Sequence, residues 1–208
     1  MKKIYRPVLF AAIFSIAFLN LGCSGLMDAI ANIQRLQFKL DKVTGMRVAG
    51  VGLSGFASLS NIGYLEAANL LASFTQGKLP VEFTLNVLAK NPNDGTGGTK
   101  KSAAIIENLA WRLFIDNNET ITGNVRNITV PGVGQFTNIP IGMSFDLIQF
   151  FNNAGYNNLI NLALALGGKN GSSSRITLKV KPTISTQLGP ITYPGEFDVI
   201  DREFRGGN

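Results

Sequence analysis

The sequence predicts a mainly β protein, an antiparallel two-sheet sandwich with two appended helical segments. Two observations carry that reading. Alternating apolar and polar residues recur along the chain, most plainly at Val81, Phe83, Leu85, Val87 and Ala89, the period of a half-buried strand. Short polar turns join these segments, such as Asn91-Pro92-Asn93-Asp94-Gly95 and Asp116-Asn117-Asn118. Strands that neighbour one another in sequence across such turns pair antiparallel.

The first 23 residues read as an export signal. Lys2, Lys3 and Arg6 form a positive start, Pro7 to Leu19 is apolar, and Leu21-Gly22-Cys23 closes the segment. A small residue before a cleavage point fits a signal peptide, and the chain's single cysteine, Cys23, follows directly. This is the pattern of a bacterial lipoprotein, in which the thiol takes a diacylglycerol and becomes the new N-terminus. Asn20 stands three residues before the cysteine, where a leucine is usual, and Leu19 lies one earlier. An uncleaved signal anchor, or an ordinary signal peptide with an incidental cysteine, are the alternatives. The apolar run is short for a span of about 20 residues.

Removing residues 1–22 leaves 186, enough for one domain with a sizeable core. Three of the 19 basic residues and none of the 13 acidic ones leave with them, so the net charge falls from +6 to +3. That balance carries no nucleic-acid footprint. Histidine is absent, which removes the commonest general base and metal ligand. With Cys23 consumed by lipid, no Cys/His metal site, cysteine nucleophile or Ser-His-Asp triad can form. Carboxylates, lysines, tyrosines and hydroxyls remain, and they do not cluster along the chain. The expectation is no enzyme, no cofactor and no metal.

The elements follow in order. Residues 23–44 read as a tether and short helical segment, with Leu26, Ile30, Ile33 and Leu40 near helical spacing. The sandwich is expected over 45–200. Met46, Val48, Val51 and Leu53 suggest a strand bent by glycines, and Ile62 to Phe74 has helical period with Gly77 as its stop. Strands are expected over Leu79–Asn91, Leu109–Ile115, Thr120–Val130, Asn138–Phe145, Arg175–Lys181 and Ile191–Val199, roughly seven in all. A helical insertion near 146–166 breaks at Gly155, and the tail 201–208 is polar and expected to fray. Val81, Phe83, Leu85 and Val87 should share a core with Trp111, Leu113, Ile139, Ile141, Ile176 and Leu178.

The segment Val81-Glu82-Phe83-Thr84-Leu85-Asn86-Val87-Leu88-Ala89-Lys90-Asn91-Pro92-Asn93 resembles the strand and Asn-Pro-Asn turn of the late embryogenesis abundant (LEA) type 2 family, also called the WHy (water stress and hypersensitive response) domain. Further stretches follow in family order: Leu109 to Asp116, Ile121-Thr122-Gly123, Ile128-Thr129-Val130-Pro131, Ile139-Pro140-Ile141, Arg175 to Val180 and Leu188 to Pro194. The resemblance covers about residues 45–200. It implies a sandwich of the fibronectin type III or immunoglobulin-like kind, an association with tolerance of dehydration, and no established catalytic residue. The helical stretches 59–77 and 146–166 depart from the compact family pattern and resemble an exported bacterial lipoprotein branch.

Other motifs favour bland readings. Gly50-Val51-Gly52-Leu53-Ser54-Gly55 spells a dinucleotide fingerprint, but no acidic residue closes the next strand and no βαβ repeat follows. Gly95-Thr96-Gly97-Gly98-Thr99-Lys100-Lys101-Ser102 has Lys100 where a phosphate loop needs glycine. Asn91, Pro92 and Asn93 make a structural turn before they make a site. Trp111 is expected in the core. Phe145, Leu147, Ile148, Phe150 and Phe151 either dock a helix or form an apolar surface. Thr84, Asn86, Thr177 and Lys179 are expected on solvent faces, where they could meet membranes or client proteins. The expected partners are a membrane through lipid on Cys23 and, beyond it, a hydrophobic ligand or an envelope protein. Ser24 at the second mature position is not the aspartate that retains lipoproteins at an inner membrane, so an outer membrane is the expected location.

Overall fold

The computed structural model describes residue 27 and residues 30–96, 101–133, 135–168, 175–186 and 189–203. Nine strands lie among them: β1 (Gln37–Val48), β2 (Val51–Gly52), β3 (Pro80–Lys90), β4 (Ala104–Ile115), β5 (Asn118–Val130), β6 (Phe136–Asp146), β7 (Arg175–Thr186), β8 (Gly189–Thr192) and β9 (Phe197–Glu203). Beyond the helical residues 30–34, three α-helices accompany them: α1 (Tyr64–Thr75), α2 (Leu147–Phe150) and α3 (Tyr156–Leu166). The strand order is β5-β4-β7-β9-β1-β3-β6, with β2 on β1 and β8 on β7. β1, β2, β3 and β6 form one antiparallel sheet, and β4, β5, β7, β8 and β9 form the other. The two join at one edge, where β9 meets β1 in parallel through Lys39 and Ile200. The sandwich is therefore antiparallel apart from this joint.

The predicted core is the observed one. Val81, Phe83, Leu85, Val87, Trp111, Leu113, Ile139, Ile141, Ile176 and Leu178 are all buried in one cluster between the sheets. Alternation places them there, because one face of each sheet must find apolar cover.

Several boundaries differ from expectation. Among the described residues the helical reading of Leu26 to Leu40 holds for Met27 and residues 30–34, and gives way to β1 at Gln37, inside the expected tether. Phe38, Leu40, Met46 and Val48 of β1 are buried, but register shifts between Leu40 and Val43 and between Thr44 and Arg47 break their alternation. Such bulges hide a strand from a period-2 reading. The last expected strand is two, β8 and β9, and the polar tail is in strand conformation as far as Glu203. The 146–166 insertion is two helices, with Gly155 at the N-cap of α3.

The helices close one end of the sandwich. Asp146 Oδ1 accepts from Ile148 N (2.9 Å) and from Leu79 N (3.0 Å), which caps α2 and ties it to the start of β3. On α3, Leu159, Ile160, Ala163, Leu164 and Leu166 are buried, so this helix lays its apolar face on the core beside β1. α1 lies against it through an edge contact of Phe74 on Tyr156, centroids 5.4 Å apart. Its C-terminus is a Schellman turn. Gly77, at φ +73°, donates to Phe74 O and Lys78 donates to Ser73 O.

Candidate functional site at the tether end

Cys23, the expected lipid site, lies outside the described residues. The turn that follows β3 is described in full. Asn91 and Asn93 are almost wholly buried, at 1% and 2% exposure. Asn91 Oδ1 accepts from Asn93 N (3.1 Å), an Asx turn across Pro92, while Asn91 Nδ2 donates to Ser102 O (2.9 Å). Asn93 Nδ2 donates to Asn32 O (3.1 Å). One turn thus clasps the approach to β4 and the helical residues 30–34 that lead into β1. Ile33 and Leu36 are buried beneath it. Asn93 Oδ1 is buried with no hydrogen-bond partner among the described residues.

Because both amide groups of Asn91 are engaged, Asn91→Ala should strand Asn93 N in a buried place and free the exposed Ser102 from the turn. Its expected cost is about 2 kcal/mol, read as a lower urea midpoint at unchanged slope. An unchanged midpoint would show that the clasp contributes nothing to stability.

Asp94 makes a second Asx turn. Its Oδ1 accepts from Thr96 N (2.9 Å) and Thr96 Oγ1 (2.6 Å), and these bonds, with a smaller contribution from the Arg35 charge, hold the carboxyl below its ordinary range. Residues 97–100, the centre of the Gly/Thr-rich loop, lie outside the described residues. The other glycine motif is a hairpin: Val48 pairs with Val51, and Ala49 and Gly50 take φ +45° and +80° between them. β2 is two residues long and no helix opens from the loop, so the dinucleotide fingerprint has no structural counterpart.

Of the residues expected on solvent faces, Asn86 is not exposed. It is 7% accessible, donating from Nδ2 to Lys42 O and Thr44 Oγ1 (3.2 Å each) and accepting from Asn138 Nδ2 (3.0 Å). The β1 bulge brings Lys42 and Thr44 over it and turns a surface position into a three-strand polar tie. Thr84, Thr177 and Lys179 are half-buried. Phe145 and Leu147 are buried, and Ile148, Phe150 and Phe151 pack against the core. Edge contacts run from Phe83 to Phe145 and on to Phe150. This aromatic run docks a helix.

One constellation escaped the sequence reading. Arg112 on β4 meets Glu196 with two bonds, Nε to Oε1 (3.0 Å) and Nη2 to Oε2 (2.7 Å), and meets Glu119 through Nη1 (2.8 Å). Its guanidinium also lies 5.3 Å from the Phe114 ring, which Lys179 Nζ approaches at 5.7 Å. Glu119 is seven residues from Arg112 and Glu196 is 84 away, so only the register of β4 with β5 and, through β7, with β9 brings them together. The hydrogen bonds from Arg112 hold Glu196 below the usual carboxylate range. A depressed folded-state pKa contributes stability that is complete above the ordinary glutamate range and lost as pH falls through the depressed value. Glu196→Gln should therefore be slightly less stable than the parent at neutral pH. The gap should close on acidification and shrink with salt. A gap that persisted in acid would assign the effect to packing.

Among the described residues no three acidic or cysteine side chains group so as to hold a metal ion. No helix among them is long and apolar enough to cross a membrane.

No protein-family model and no curated protein sequence matches the chain. Solved structures similar to it include a protein assigned to the late embryogenesis abundant (LEA) class, at 14% identity and TM-score 0.40, covering 97% of this chain and 89% of that one. An Arabidopsis thaliana protein is similar at 18% identity and TM-score 0.36, over 59% of this chain and 70% of its own. A protein from Archaeoglobus fulgidus is similar at 16% identity and TM-score 0.36, over 61% and 87%.

Proposed function

We propose that this chain is a lipid-anchored, non-enzymatic cell-envelope protein of LEA type 2/WHy kind, acting through its surface in protection against water stress or in envelope upkeep. The observation that carries the reading is the clasp at Asn91 and Asn93. The residues that carry the family resemblance are buried and hydrogen-bonded to backbone, one of them to Asn32, on the segment that leads back to Cys23. The motif then holds the sandwich against its tether, and action is left to exposed surface rather than to a reactive centre. Lipid on Cys23, with two acyl chains, gives stable attachment where a single chain gives only reversible binding. An outer membrane is the proposed location.

The test has two parts. Palmitate labelling and membrane fractionation should mark the wild type and fail for Cys23→Ala; labelling that persists in the variant overturns the anchor. A membrane enzyme dried with and without the protein should recover more activity in its presence; equal recovery overturns the protective role.

A further inference from the structure

The end of the sandwich that carries the clasp also carries a set of exposed apolar side chains. Phe136 is 58% exposed, Ile105 49% and Val133 42%. Strand pairings place all three together. Ile105 pairs with Thr129 and Phe136 with Lys90, while Thr137 Oγ1 donates to Thr129 O (3.0 Å). Gly132, next to Val133, lies against the backbone of Ser102, which Asn91 holds. Lys90 Nζ sits 5.5 Å from the Phe136 ring. Arg35 and Lys101 are exposed nearby in the chain. Among the described residues the carboxylates near this end are Asp94, already turned onto Thr96, and Glu107, just beyond Ile106 on β4.

We propose that this end is a lipid-facing surface. Phe136, Val133 and Ile105 enter the headgroup layer, and Arg35, Lys90 and Lys101 meet anionic headgroups. The inference rests on the lipid-anchor reading. Ile30 is seven residue steps from Cys23, so the tether reaches at most about 25 Å even when fully extended. The chain enters the sandwich at the clasp, and the clasp end is thereby held close to the bilayer. The opposite end lies the length of β1 away, about 40 Å for its 12 residues. There α1 exposes Tyr64, Leu65 and Leu71, beyond the reach of a domain standing on its tether. Aromatic and aliphatic tips flanked by cations are the composition of an interfacial contact.

The experiment uses the lipidated full chain in vesicles of phosphatidylethanolamine with phosphatidylglycerol. Lipid on Cys23 leaves no other native thiol, so Phe136→Cys, Val133→Cys and Tyr64→Cys can each carry an environment-sensitive fluorophore. Nitroxides on the lipid headgroups should quench the label at positions 136 and 133 several-fold more than at 64. Vesicles without phosphatidylglycerol should reduce that quenching. Strong quenching at 64 alone would make α1 the lipid contact, and equal weak quenching at all three would mean that the domain stands off the bilayer. Either result overturns the proposal, and quenching at 136 indifferent to anionic lipid removes the cations from it. Palmitate labelling of the same preparations separates failure of docking from failure of the anchor.

Discussion

Replacing Phe83 by alanine should lower the unfolding free energy by about 3–5 kcal/mol. Phe83 is 4% exposed, in the middle of β3. It pairs with Met143 of β6 and meets Phe145 edge-on at 6.1 Å. Alanine would remove the ring's burial and leave a cavity between Val81 and Leu85, whose positions the ladder to β1 and β6 fixes on both sides. Those neighbours cannot collapse into the gap without breaking register, so the cost falls in the upper part of the core range. The loss is a large fraction of the roughly 5–15 kcal/mol that holds an ordinary domain together. Urea unfolding followed by far-ultraviolet circular dichroism measures it. A midpoint equal to that of the parent would mean that β3 buries its other face.

Phe83 also shows why this part of the fold was legible. Between Val81 and Ala89 every second residue is apolar, and β3 is a central strand of its sheet, so local pattern and tertiary demand agree. The two disagree along β1. Its bulges shift the phase of alternation after Leu40 and again after Thr44, and the sequence then imitates a short helix followed by a broken strand. Asn86 failed for the same reason, since its burial is caused by the partner strand's bulge and by nothing in its own neighbours. The Asn91 turn was legible as a turn, because Asx and proline chemistry is local. Its hold on Asn32, 61 residues away, was not. The Arg112 constellation depends wholly on register and left no trace in spacing. The exposed apolar set at Ile105, Val133 and Phe136 was hidden likewise, because the start of β4 and the β5–β6 connection meet only through strand pairing.

The remaining large effect is expected at a residue with no side chain. Gly123 of β5 lies directly across from Trp111 of β4. A Cβ built on it would overlap Trp111 Cζ2 and stand 2.9 Å from Cε2. The indole therefore lies over the space that any other residue would fill, which is the usual reason for glycine inside a strand. Trp111 is 7% exposed, and its Nε1 is buried with no hydrogen-bond partner among the described residues. What holds the ring is packing area, and Gly123 makes that packing possible. Gly123→Ala should push the ring off this strand and cost about 3 kcal/mol, the upper end for an overpacked core. It should also shift the emission of the chain's single tryptophan to the red as the ring meets water. Trp111→Leu removes the part of the ring that collides, so adding Gly123→Ala to it should cost little more. The double-mutant cycle would then give a large coupling between the two positions. Strictly additive losses would show that glycine is needed at 123 for its backbone alone, and that the Trp111 ring does not depend on it.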